Sequence, residues 1–282
     1  MAVLIPSALT PPTIFSGPAA SGAVYHHGAH VVDWTPAGEE PVLWMSRQSR
    51  FDDLSPIRGG IPICWPWFAS GRTAAMSPPH GYARVTEWRL LGQKGDAESI
   101  RVRYLLVGGG PGSQFPGRLT YEVAFGRTLT AALTVTNTSP GAFSYEAALH
   151  TYLAVGDVRQ ISLTGLEDAP YLDRAPGAKP GQRSHAGELK ITGETDRVYT
   201  TESPVTVYDP VIDRVIVTER SGSANVVVWN PWVDKAKAME DFGDDEWPSM
   251  ICVETANIGD QAIKLGAGQS HTMSFTLSLV SA

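Results

Sequence analysis

The stretch Leu119-Thr-Tyr-Glu-Val-Ala-Phe-Gly-Arg-Thr-Leu-Thr-Ala-Ala-Leu-Thr-Val135 sets an apolar side chain at every second position on both sides of Gly126-Arg127. Successive side chains of an extended chain point to opposite faces. Leu119, Tyr121, Val123 and Phe125 therefore share one face, as do Leu129, Ala131, Leu133 and Val135. Two such runs joined at a glycine predict a β-hairpin over a core. The last strand repeats the pattern, with His271, Met273, Phe275, Leu277 and Leu279 on one side and Thr272, Ser274, Thr276 and Ser278 on the other. Further β-rich runs cover 23–34, 42–45, 100–107, 144–155, 161–165, 211–218, 225–229 and 250–254, separated by turn residues. The one fair helical stretch is 231–239, with Pro231 at an allowed early position and Gly243 beyond its end. Many strands and few helices predict an all-β chain, a large antiparallel β-sandwich. No composition break marks a linker, so residues 1–282 are read as one domain, with an extended segment over 1–20. The Pro/Gly-rich stretch 169–187 is read as a long loop, and Gly108-Gly-Gly110-Pro-Gly112 as a flexible hairpin connection.

The chain has 282 residues, 22 Lys+Arg against 29 Asp+Glu, and a net charge of −7. That balance, with no basic run, lacks the electrostatic footprint of a general nucleic-acid binder. Its basic side is 16 Arg and 6 Lys, a bias that fits specific anion contacts and compositional drift equally. Cys64 and Cys252 sit in apolar surroundings, which predicts buried free thiols in a reducing compartment and a cytoplasmic location. The first residues have no basic region and an apolar run broken by prolines, so no secretion signal is expected. No stretch approaches the ~18 apolar residues of a membrane span.

Four segments are more than strand. Pro56-Ile-Arg58-Gly-Gly-Ile-Pro-Ile-Cys-Trp-Pro-Trp-Phe68 carries two prolines that forbid a central strand, three aromatics, and Arg58 beside a Gly-Gly pair. It reads as a packed loop or as the wall of a sugar-sized pocket. Pro78-Pro-His80-Gly-Tyr-Ala-Arg84 is a rigid turn able to present an imidazole and a guanidinium to one site. His150 lies in the apolar run 147–153, and Glu254 lies in the apolar strand around Met250-Ile-Cys-Val-Glu254. A buried imidazole needs a partner, and a buried carboxyl has its pKa raised unless it is paired. Structural roles compete with catalytic ones for both. His26-His27-x-x-His30 could suggest a metal site, but neighbouring strand positions alternate faces and the two cysteines are far apart, so no metal is expected. The acidic run Glu240–Glu246 lacks a calcium-loop pattern. No phosphate loop, dinucleotide fingerprint or nucleophile elbow is present.

Taken in order, these segments resemble the aldose 1-epimerase (galactose mutarotase-like) superfamily, and within it the hexose-6-phosphate branch. The resemblance rests on Arg-Gly-Gly-Ile-Pro-Ile-Cys-Trp-Pro from Arg58, His-Gly-Tyr-Ala-Arg from His80, and Leu-His-Thr-Tyr-Leu around His150. It continues with Glu194-Thr-Asp196-Arg-Val-Tyr199, Val-Trp-Asn-Pro-Trp232, Asp241-Phe-Gly-Asp-Asp and Cys252-Val-Glu-Thr-Ala, over about residues 22–280. It implies a supersandwich with the sugar in a groove on one sheet face. His150 would be the general acid and Glu254 the general base, on opposite sides of the sugar ring. His80 would assist at the ring oxygen, Asp196 would bind hydroxyls, and Arg58 and Arg84 would meet a phosphate. No cofactor is implied. The expected partner is a small hexose 6-phosphate, with no nucleic acid or membrane, on a monomer or weak oligomer. Pro79 departs from the branch, which often carries a substrate-contacting Gln there. Competing readings are a mutarotase for unphosphorylated aldoses, a non-catalytic carbohydrate-binding or sensing protein, and a purely structural sandwich.

Overall fold

The 119–135 hairpin forms as read. Strands Gly117–Gly126 and Leu129–Asn137 pair antiparallel, with Leu119 opposite Val135 and Phe125 opposite Leu129. In this computed structural model, which describes residues 8–72, 75–96, 98–107 and 115–280, the hairpin lies near one end of a nine-stranded antiparallel sheet. The strand order is Leu189–Lys190, Ser162–Thr164, Val205–Asp209, Arg214–Ser221, Ser270–Val280, Leu129–Asn137, Gly117–Gly126, Ser99–Val107 and Arg89–Gly95.

A second sheet of eight strands faces it. Its order is Gln182–Arg183, Tyr171–Asp173, Thr195–Thr200, Asn225–Asn230, Met250–Asn257, Ala147–Leu149 and Ile63–Cys64, and Tyr152–Ala154 also pairs with Met250–Asn257. Met273, Phe275 and Leu277 of the first sheet and Val226, Val228, Ile251 and Val253 of the second join one hydrophobic cluster. Asn257 of the second sheet meets Met273 of the first, Nδ2 to Sδ at 3.7 Å. The chain is therefore an all-β antiparallel sandwich. Its α-helix among the described residues, Trp232–Lys237, falls inside the predicted 231–239. No described helix is long and apolar enough to cross a membrane.

Four stretches differ from their sequence reading. The 23–34 run is two hairpin arms, Ala20–Tyr25 and His30–Pro36, turned through Gly28 and Ala29 at positive φ. The 42–45 run makes isolated bridges, Leu43 to Leu153 and Met45 to Gly59. The 144–155 run breaks into Phe143–Tyr145, Ala147–Leu149 and Tyr152–Ala154. There the amides of His150 and Tyr152 donate to Pro62 and Gly60 of an irregular loop rather than to a strand. The 169–187 loop contributes the short strands Tyr171–Asp173 and Gln182–Arg183, which lengthen the second sheet. Residues 108–112 and 1–7 lie outside the described residues; within the 1–20 segment, Thr13–Ser16 pairs with Ala20–Tyr25.

Candidate active site

Strand register assembles the site. Leu149 lies opposite Thr255 and Tyr152 opposite Cys252, so His150 falls opposite Glu254. Directly paired residues share a face, ~5 Å apart at Cβ. The same register sets Cys252 opposite Trp229 and Trp229 opposite Asp196. His150, Tyr152, Cys252, Glu254, Trp229 and Asp196 thus lie on the face turned away from the other sheet. His150 Nε2 and Glu254 Oε1 are 3.3 Å apart, with side chains 8% and 1% exposed. No sugar ring fits between groups that touch, so the two side chains would meet a ring from one edge rather than from the opposite sides the resemblance implies.

Two loops close over this face. Gly59 and Gly60 adopt φ of 115° and 57°, and a Cβ on Gly60 would stand 2.1 Å from the Val31 carbonyl oxygen. Only glycine lets the backbone approach so closely while it presents Arg58. Arg58 donates through Nε and Nη2 to Asp241 Oδ2, at 3.2 and 3.1 Å, and through Nη1 to the Tyr152 hydroxyl at 2.9 Å. The Tyr152 ring stacks on His150, with centroids 4.8 Å apart and planes within 10°. His80 holds a left-handed φ of 64°, a costly conformation for a non-glycine residue, and its ring lies 5.7 Å from that of His150. Arg84 is buried and donates to the Pro79 carbonyl at 2.8 Å, bracing the same turn.

All six residues named from the sequence converge. Burial lowers the His150 imidazole well below its ordinary 6.5, and the positive Arg58 and Arg84 add to the effect. Burial raises the Glu254 carboxyl well above 4.5, Asp196 raises it further, and Arg174 and Arg84 oppose the shift. Desolvation also raises Asp196, against Lys235 and Arg174. His80 is lowered, by burial first and then by Arg84 and His150.

The three clustered histidines serve three different partners. His26 meets Glu87 at 3.8 Å, His27 meets the Ser55 carbonyl at 3.0 Å, and buried His30 meets the Gly59 carbonyl at 2.8 Å, bracing the Arg58 loop. Among the described residues, ligand atoms of His150, Cys252 and Glu254 come within 4.8 Å of one another, the one group whose spacing could hold a metal ion. Burial drives the Cys252 thiol well above its ordinary value, so a cation would first have to displace its proton. Sequence reasoning assigned no role to Tyr152, Trp229, Asp241 or Arg174. The first three lie in the quoted motifs, whereas Arg174 was hidden in a stretch read as loop.

One sandwich face thus brings a buried imidazole and a buried carboxyl into contact beside two loops that carry Arg58 and Arg84. The chain belongs to the aldose 1-epimerase family, whose model matches residues 15–278. An Escherichia coli (strain K12) relative named "Putative glucose-6-phosphate 1-epimerase" is 36% identical over 233 residues, covering 81% of this chain and 77% of the relative. A relative of the same name from Cenchrus ciliaris is 32% identical over 277 residues, covering 91% and 80%. The crystal structure of a "putative mutarotase" from Salmonella typhimurium superposes with a TM-score of 0.87 at 28% identity, covering 95% of this chain and 90% of that one.

Proposed function

We propose that the enzyme interconverts the α and β anomers of a hexose 6-phosphate, as a glucose-6-phosphate 1-epimerase. The observation that carries this reading is the buried His150–Glu254 contact of 3.3 Å, with Arg58 and Arg84 acting on the imidazole and Arg174 and Arg84 on the carboxyl. Opening the pyranose removes the proton of the C1 hydroxyl and delivers one to the ring oxygen. Both oxygens are bonded to C1, so two groups that touch each other can serve both. The C1–C2 bond then rotates, and closure on the other face reverses the transfers.

Glu254 as base and His150 as acid need one proton between them. A raised carboxyl and a lowered imidazole leave the resting pair with that one proton on Glu254; it first passes across the 3.3 Å contact to His150, and ring opening then returns it to Glu254 through the substrate without changing the total. His80, ring to ring with His150, assists at the ring oxygen, and Asp196 binds hydroxyls. Arg58 and Arg84 supply the positive field that favours an anionic sugar. The shared hydrophobic cluster supports one domain. Two buried free thiols and a phosphosugar substrate support a cytoplasmic location.

Saturation-transfer NMR on glucose 6-phosphate tests the reading: micromolar enzyme should accelerate anomer exchange well beyond the uncatalysed rate, and no acceleration overturns it. The pH profile follows from the same pair, which titrates as a unit. Activity should be flat through neutral pH. Its acid limb should fall below 6.5, where the depressed imidazole takes up a second proton. Glucose as a control substrate separates this limb from ionisation of the sugar phosphate.

A further inference from the structure

Cys252 and Glu254 stand two residues apart on one strand, so their side chains share a face. Register places His150 across from Glu254 on that same face. The reaction uses the imidazole and the carboxyl; it has no task for the thiol beside them. Ligand atoms of the three come within 4.8 Å of one another, and all three residues are buried.

Their spacing fits one ion. Donors around a tetrahedral zinc stand about 3.3–3.8 Å apart at its usual bond lengths. His150 Nε2 and Glu254 Oε1 already have that separation, at 3.3 Å. The sulfur has to close by about 1 Å at most, a displacement that modest side-chain rotation covers. Glu254 Oε2 is buried without a hydrogen-bond partner, an acceptor that a cation satisfies. The donor set also selects the ion. An imidazole, a thiolate and a carboxylate together suit zinc or cadmium. Magnesium and calcium take oxygen shells of about six, which one carboxylate does not supply. The charges balance. An incoming dication displaces one proton from the thiol and one from the carboxyl, and both protons leave to solvent. The buried cluster therefore keeps its net charge, and Arg58 and Arg84 face no added positive charge.

We infer that His150, Cys252 and Glu254 form an inhibitory site for a soft divalent cation, zinc or cadmium. The site rests on donor geometry alone. Its effect on catalysis rests on the epimerase reading above, because a cation held there occupies the lone pairs that exchange protons with the sugar. Titration of the full chain with Cd2+, followed by thiolate-to-metal charge-transfer absorption and by calorimetry, tests the site directly. One ion per chain with a thiolate band is expected, and Mg2+ should give neither band nor heat. Cys252→Ala should abolish the band and weaken binding by at least about 10- to 100-fold, the cost of losing even an outer partner of a metal site. Cys64→Ala, lacking the other buried thiol, should keep both. A band or an affinity unchanged in Cys252→Ala overturns the inference, as does binding without a band or no binding at millimolar Cd2+. Where Cys252→Ala does not fold, His150→Ala decides: it keeps both thiols and should weaken binding by the same factor, and equal affinity overturns the site. Anomer exchange should fall in step with Cd2+ occupancy and recover when a chelator is added. Undiminished exchange at saturating Cd2+ overturns the inhibitory role. A wild type idle on both glucose 6-phosphate and glucose fails the functional reading instead, and the band and the affinities still decide the site.

Discussion

Glu254→Gln is expected to lower kcat by about 10²–10⁴-fold, the usual contribution of a positioned proton-transfer group, while raising the melting temperature. The two effects share a cause. Glu254 is 1% exposed, its Oε1 faces His150, and its Oε2 has no hydrogen-bond partner. Unfolded, the carboxyl titrates near its ordinary 4.5; folded, it titrates well above that. Between those pH values the native state keeps a proton that the unfolded chain has released, so stability falls as pH rises through the window. The neutral amide removes that loss, and each kcal/mol recovered is worth about 2–4 °C in a chain of this size class. Thermal melts at acid and neutral pH, alongside anomer exchange by NMR, check both halves. A Gln variant that stays fully active, or that melts lower than wild type at neutral pH, contradicts the assignment of a desolvated catalytic base.

Arg58→Ala is the second large effect, and it acts on stability and pH response together. The substitution strands the Asp241 carboxylate, whose side chain is 17% exposed, and takes the donor from the Tyr152 hydroxyl. Breaking a mostly buried ion pair from one side costs about 2–4 kcal/mol, because the remaining charge loses its partner. Removing both partners costs less than the two single losses summed, so Arg58→Ala/Asp241→Asn should be more stable than additivity predicts. Lysine restores the charge but cannot span Asp241 and Tyr152 with one fork, so Arg58→Lys should recover only part of the stability. Arg58 also helps to hold His150 below its ordinary value, so its loss should move the acid limb of the activity profile upward, toward 6.5. Denaturant melts and a pH–rate profile of the alanine variant read the two predictions separately. An acid limb that does not move would detach Arg58 from the acid.

The fold was legible wherever one sheet face was buried and the other wet. Leu119–Val135 and His271–Leu279 are strands with that asymmetry, and their alternation reads directly as burial. In the second sheet the runs 225–229 and 250–254 read as β-rich but gave no inner and outer face, because both faces of that sheet are covered. Met250–Asn257 is buried at all eight positions and has no period to detect. Short outer strands such as Tyr171–Asp173 are too brief for a pattern and sit among prolines and glycines that point to loop. The chemical residues stood out because they break local rules: a carboxylate and an imidazole in apolar strands, a histidine in a Pro-Pro-His-Gly turn, an arginine before Gly-Gly. Arg174 breaks no such rule. An exposed arginine after a short Tyr-Leu-Asp run is unremarkable until register sets it opposite Asp196. The mutual contact of His150 and Glu254 was likewise invisible, since it depends on two strands about a hundred residues apart in sequence adopting one alignment.

That alignment makes the acid/base pair a property of the lattice rather than of a loop. Adding or deleting one residue between Ala147 and Ala154 would not merely shift His150 along its strand. It would exchange inside for outside, turning the imidazole into the hydrophobic interior and offering the neighbouring Leu149 or Thr151 to the sugar. Length changes can therefore accumulate in the peripheral connections over evolutionary time, while the short central strands stay in frame. In those strands a single indel would destroy the chemistry and the packing in one event, leaving no half-functional intermediate for selection to act upon.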